Sequence, residues 1–325
     1  NIGVVVSDGP KGPWRDVLGK PLIPQGLVPN PGIRDPGVFR DDDGQSYIIF
    51  GTFDYYIAKL ASNLTALAET PRKVVVNHAF GPFGPGQTDD KPFLHKYDGW
   101  YYLSWGCYYS MGTSPYGPFD FRGSVVDPAF IDASFQDSRP LIDRHGSFFQ
   151  WHNQWYYACN DFSQSNSSDY FRDTIVTYVH YYDNGAIAPV KINGVGVGEY
   201  DVALGVVEME EFFSLDGPAS KREGPGGGFQ VCLTGDNVTL SFPNVAVAKT
   251  STMVQLAATN AAATLPFTVV VDGVPSACVL QPIGDALSNC TLTTPVSGSL
   301  SVQFLFTTGA THGVCLDWFT LTDQH

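Results

Sequence analysis

Three stretches of the chain repeat one arrangement of apolar and polar positions. The first runs Gly37-Val38-Phe39-Arg40, crosses a polar turn at Asp41-Asp42-Asp43-Gly44, and returns through Gln45-Ser46-Tyr47-Ile48-Ile49-Phe50-Gly51. The second runs Phe93-Leu94-His95-Lys96, turns at Tyr97-Asp98-Gly99 and returns through Trp100-Tyr101-Tyr102; the third runs Phe148-Phe149-Gln150-Trp151, turns at His152-Asn153-Gln154 and returns through Trp155-Tyr156-Tyr157. Each pattern predicts a β-hairpin, because apolar and aromatic runs flank turn residues that tolerate positive φ. Tyr47, Tyr102 and Tyr157 are spaced by a constant 55 residues.

A repeat near that length with about four strands per unit is the signature of a propeller blade. The turn Ser7-Asp8-Gly9-Pro10-Lys11-Gly12-Pro13-Trp14 is echoed by Ser114-Pro115-Tyr116-Gly117-Pro118-Phe119, so the chain is expected to open inside a blade. Three full blades and the end of a fourth are then present, and a ring of five would draw on an N-terminal segment not present in this chain. The aromatic hairpins stop near Val202. Beyond it, alternating strands such as Thr239-Leu240-Ser241-Phe242 and Leu300-Ser301-Val302-Gln303-Phe304 predict a β-sandwich. The expected organisation is all-β, with a five-bladed propeller over 1–203 and a sandwich, or jelly roll, over 204–325.

The 14% aromatic content with 34 Gly and 23 Pro favours many short strands over long helices. A net charge of -14 repels nucleic acid and anionic membranes, so a neutral partner is expected. Six cysteines without a CxxC pair point to disulfides rather than a metal-thiolate centre, and four of them lie in the sandwich. With sequons at Asn63, Asn166, Asn237 and Asn289, they predict a secreted glycoprotein.

Acids just before the first strand of a blade are placed at the central mouth, where paired carboxyl groups can hydrolyse a glycosidic bond. Asp35 and Asp90 both occupy such positions, each close to a proline at a strand entrance. The run Ile33-Arg34-Asp35-Pro36-Gly37-Val38-Phe39-Arg40-Asp41-Asp42-Asp43-Gly44 resembles the signature of glycoside hydrolase family 43. The resemblance continues through Asp90-Lys91-Pro92-Phe93-Leu94-His95-Lys96-Tyr97-Asp98-Gly99, His145-Gly146-Ser147 and Phe171-Arg172-Asp173. It implies a five-bladed inverting hydrolase that uses an Asp base, an Asp that orients the acid, and a Glu acid. Asp35 matches the orienting residue. Asp90 stands one methylene short where the family has its glutamate, and the base falls upstream of anything matching Asn1. The resemblance further implies Arg172 as a sugar ligand and His145 as an axial residue beside a central ion or water. Trp105, Tyr108, Phe53 and Trp151 are candidates for sugar-stacking walls, whereas Asp41 to Asp43 read as a solvated hairpin tip.

Val207-Glu208-Met209-Glu210-Glu211-Phe212 and Cys315-Leu316-Asp317-Trp318-Phe319 resemble the first and last strands of carbohydrate-binding module family 6, which implies Glu208, Glu210 and Asp317 as ligands of a structural calcium ion. No cofactor is expected for catalysis. The expected activity is exo-acting release of α-L-arabinofuranose or β-D-xylose, with arabinoxylan or arabinan as the polysaccharide partner. An exo-galactanase and a catalytically incomplete lectin are the alternatives.

Overall fold

A computed structural model of the chain describes residues 1–29, 32–135, 141, 144–163, 171–261, 264–281, 286–307 and 313–323. The sequon at Asn166 lies outside the described residues. The chain divides into two compact units: Asn1–Phe148 with Ala158–Ile175, and Phe149–Tyr157 with Val176–His325.

The first unit holds the first two repeated hairpins with the predicted turns. Gly37–Arg40 pairs antiparallel with Ser46–Thr52, followed by Asp54–Lys59 and Arg72–Lys73 in one four-stranded sheet. Phe93–Tyr97, Trp100–Trp105, Tyr108–Gly112 and Phe119–Ser124 form the next sheet, closed by a parallel strand Val76–Asn77. The turns have the expected chemistry, since Gly44, Asp98, Gly99, His152 and Asn153 all take positive φ. The two echoed turns also correspond, with a cis peptide at both Gly12–Pro13 and Gly117–Pro118.

Neighbouring repeats approach so closely that Gly37 has no room for a side chain: a Cβ there would lie 2.7 Å from the Pro92 carbonyl oxygen and 3.2 Å from Ile49. At the opposite end of that strand the structure departs from the sequence reading. Asp41 is not a solvated tip residue, because its carboxylate accepts hydrogen bonds from Lys96 Nζ at 2.8 Å and Tyr101 Oη at 2.6 Å and so ties the first repeat to the second. Asp42 and Asp43 are exposed. His95 is buried between the rings of Tyr102 and Phe148, at 4.7 and 4.2 Å between centroids.

Gly146–Trp151, Gln154–Asp161 and Asp173–Tyr178 form a third sheet. There the Gln154 amide donates to the carbonyls of Glu210 and Phe212 at 2.8 and 2.9 Å. Lys221, partly buried, donates to Gln154 Oε1 at 2.6 Å and the Val179 carbonyl at 2.8 Å, and contacts His180 Nδ1 at 3.1 Å. Burial without a paired carboxylate pulls its ammonium pKa down to about 7.

In the remainder of the second unit, two long strands, Val238–Thr259 and Ala286–Phe306, pair along most of their length through several bulges. Leu265–Val271 and Val274–Leu280 alternate buried and exposed positions, as a sheet with one face inward requires. The core is aromatic: Phe242, Phe304 and Phe319 meet at 4.8 to 6.1 Å, and Phe267 stacks on Phe306 at 5.4 Å. The expected staples are present as Cys232–Cys315 and Cys278–Cys290. Cys107 and Cys159 are buried thiols.

Candidate active site

The entrances to the first strands of the three repeats converge. Residues 35–37, 91–93 and 145–147 together line a cavity of about 290 Å³. Among the described residues lining it, Asp35 is the only acid. Its Oδ2 is buried and accepts no hydrogen bond, an arrangement that costs free energy unless a ligand supplies the donor.

The backbone around this cavity is constrained. Asp35 and Lys91 both adopt positive φ, 53° and 56°, although each precedes a proline. Such residues are confined to left-handed geometry only where surrounding structure forces it, and the cost is about 1–3 kcal/mol each. The segment before Asp90 is itself tied down by a set of hydrogen bonds. The Asp89 carbonyl accepts the Phe53 N–H at 3.0 Å and the Tyr55 hydroxyl at 2.8 Å, while Thr88 Oγ1 donates to the Phe53 carbonyl at 2.7 Å. Buried Tyr55 thus acts as a clamp on the peptide leading into Asp90, and burial drives its phenol pKa far up.

Asp90 is partly open, and its carboxylate has two basic neighbours: Lys91 Nζ at 3.2 Å and His145 Nε2 at 3.4 Å, both to Oδ1. Its N–H donates to Asp89 Oδ1 at 2.8 Å. Asp89, Asp90 and His145 are the only group among the described residues in which three acid or imidazole ligand atoms lie within 4.8 Å of one another. The backbone of His145 is fixed from behind, where its amide N–H donates to Asn160 Oδ1 at 2.8 Å. The preceding Arg144 forms a buried ion pair with Asp161 at 2.7 Å, and Asp161 Oδ2 accepts the Ser163 N–H at 3.0 Å. A guanidinium and a carboxylate this deep are tolerated because each satisfies the other.

The other predicted positions are dispersed. Arg172 is exposed, with its guanidinium 5.0 Å from the centre of the Phe162 ring. Trp105 is fully buried and its indole N–H donates to the Phe80 carbonyl at 3.1 Å, so it supports a hairpin and offers no face to a sugar. Tyr108 is likewise buried, whereas Phe53 and Trp151 are exposed. The clamp by Tyr55 and Thr88 was not predicted, and with four consecutive positions, Tyr55 to Ala58, buried, no alternation marks the Tyr55 ring.

In the second unit, Glu208 and Asp317 line a cavity of about 790 Å³. Glu208 lies opposite Trp318 on the paired strand, one residue from Asp317. Glu210 is buried and its Oε2 has no hydrogen-bond partner; burial, followed by the like charges of Glu208 and Glu211, pushes its pKa up to about 8. Mutually repelling carboxylates with an orphaned oxygen suit a hard cation, although the three acids do not bring ligand atoms within 4.8 Å of one another.

The chain resembles known proteins over its repeats. The model for glycosyl hydrolases family 43 matches residues 1–187. A β-xylosidase of Xylanibacter ruminicola is 26% identical over 230 residues, covering 59% of this chain and 66% of that protein. An arabinoxylan arabinofuranohydrolase of Bacillus subtilis is 30% identical over 265 residues, covering 70% of this chain and 49% of that protein. The crystal structure of a family 43 arabinoxylan arabinofuranohydrolase from Bacillus subtilis, in complex with cellotetraose, is 21% identical, covers 99% of this chain and 74% of its own, and gives a TM-score of 0.49. The matched segments span about half to two thirds of the two curated relatives. With the match running from Asn1 through all three repeats, the chain belongs to glycosyl hydrolase family 43.

Proposed function

We propose that the chain is the catalytic portion of a secreted, exo-acting, inverting glycoside hydrolase that releases α-L-arabinofuranose or β-D-xylose from arabinoxylan-type polysaccharide. The observation that carries this reading is Asp35, with its unpartnered buried oxygen, at a small cavity lined also by His145, whose Nε2 lies 3.4 Å from the Asp90 carboxylate. The named relatives, a β-xylosidase and an arabinoxylan arabinofuranohydrolase, support this reading. Water attacks the anomeric carbon as Asp90 transfers its proton to the departing glycosidic oxygen, and Asp35 holds the acid and sugar in register. The water's proton goes to a third carboxylate, a role left vacant by Asp35 and Asp90. Arg172 is the proposed ligand for sugar hydroxyls. Exposed Asn63, Asn237 and Asn289 and the two disulfides support passage through an oxidising, glycosylating compartment.

A panel of nitrophenyl glycosides, run on a preparation checked by intact mass, tests the reading: turnover of the arabinofuranoside or xyloside is expected, and turnover of the galactoside alone would replace it with the galactanase reading. One observation favours a binding protein instead. Asp90 is held by both Lys91 and His145, and an acid locked in that way binds sugar without cleaving it. No turnover of any glycoside, with retained affinity for arabinoxylan, would establish that alternative.

We further propose structural calcium at Glu208, Glu210 and Asp317, supported by the orphaned Glu210 oxygen. Such an ion would neutralise the repelling carboxylates and draw them onto one centre. Chelation is expected to lower the thermal midpoint by about 5–10 °C, and Glu210→Gln to abolish the difference. Equal midpoints with and without chelator would remove the ion from the description.

A further inference from the structure

Phe53 and Phe83 are two large apolar side chains that the fold turns outward together. They are 51% and 61% exposed, with ring centroids 5.6 Å apart and planes at 68°. Single exposed hydrophobic residues are ordinary, but a contiguous pair is a patch that folding alone does not explain.

Both rings are placed by devices anchored to the segment that leads into Asp90. Phe53 has φ 63°, a costly conformation for a bulky residue, and is held there through the Asp89 carbonyl and the Thr88 hydroxyl. Phe83 sits at the tip of a miniature hairpin, Phe80–Gly81 paired with Gly84–Pro85. That hairpin presses onto the same segment: a Cβ on Gly81 would come within 3.0 Å of the Gln87 carbonyl oxygen and 3.1 Å of that of Thr88. Its base is fixed by the Trp105 indole on the Phe80 carbonyl, and by the Phe80 ring against Tyr108 and Phe121 at 5.9 and 6.0 Å. A strained residue and a tethered hairpin therefore both hold an exposed aromatic ring on the segment that leads into Asp90.

We propose that Phe53 and Phe83 form a stacking platform for a neutral backbone sugar next to the pentose being released, so that this edge of the site selects polysaccharide over small glycosides. The inference rests on the hydrolase reading above. A sugar ring offers an apolar C–H face that matches the aromatic surface, and the chain's net charge of -14 disfavours anionic polymers as the occupant.

The test compares KM for arabinoxylan with KM for nitrophenyl arabinofuranoside in Phe83→Ala and Phe53→Gly. The second substitution suits the positive φ and guards against a folding artefact. Loss of a stacking ring is expected to raise the polymer-to-nitrophenyl KM ratio about tenfold in each variant. A ratio within about twofold of the parent in both would overturn the platform. If the parent turns over neither substrate, the hydrolase reading fails separately, and calorimetric titration with xylotetraose decides the platform: about tenfold weaker binding by the variants supports it, and equal binding overturns it.

Discussion

Asp90→Asn is expected to hydrolyse arabinoxylan about a thousandfold more slowly than the parent chain, while retaining most of its rate on a dinitrophenyl glycoside. A general acid matters in proportion to the basicity of the group it protonates. The oxygen leaving from a polysaccharide is a poor leaving group without a proton, whereas a dinitrophenolate departs unaided. Asp35→Asn should behave differently, slowing both substrates by about a hundredfold or more, because an orienting carboxylate serves the transition state whatever leaves. The split between the variants is the informative quantity. Thermal midpoints should stay near the parental value, since Asp35 Oδ2 has no hydrogen bond to lose and Asp90 is partly solvated. Parental arabinoxylan activity in Asp90→Asn would remove Asp90 from the role of acid, leaving His145, 3.4 Å away, as the next group to examine.

The second large effect concerns pH. His95, enclosed by Tyr102 and Phe148, has its imidazole pKa lowered by burial from 6.5 to about 3. The folded chain then binds fewer protons at this site than the unfolded chain between those values, so stability rises with pH across that window and is lost as pH falls through it. The loss between pH 6.5 and pH 4 amounts to about 3 kcal/mol from this one residue. His95→Phe preserves the stacked shape and cannot titrate. Its unfolding free energy, measured by denaturant at both pH values, should therefore decline by about 3 kcal/mol less than the parent's. An identical decline in the two proteins would show that His95 is protonated in place, or that the stack opens.

The hairpins were legible because their information is local: alternation, positive-φ turn residues and the 55-residue step each act within a few residues of chain. Asp35 was legible for the same reason, since its Asp-Pro motif announces a strand entrance. What could not be seen were interactions that cross between repeats. Asp41 reads as one of three solvated aspartates until Lys96 and Tyr101 are brought against it from the next sheet. Trp105 reads as a sugar wall because indoles suit sugars, yet packing of the Phe80 hairpin over it decides the outcome. Phe83 carried no signal at all, because its meaning depends on a loop that only the folded chain sets beside Phe53. Lys221 gave no warning either, since a lone lysine in a strand says nothing of three partners drawn from two distant segments.

The paired strands Val238–Thr259 and Ala286–Phe306 carry a consequence for how the second unit comes apart. Along its length Val238–Thr259 also pairs with Ser214–Asp216 toward one end and with Cys315–Thr322 toward the other, so a single ribbon lies at the centre of the sheet order, with the hairpins of 219–233 and 265–280 outside it. Among the described residues, loss of that ribbon would therefore undo several strand pairings at once, whereas loss of an outer hairpin would undo one.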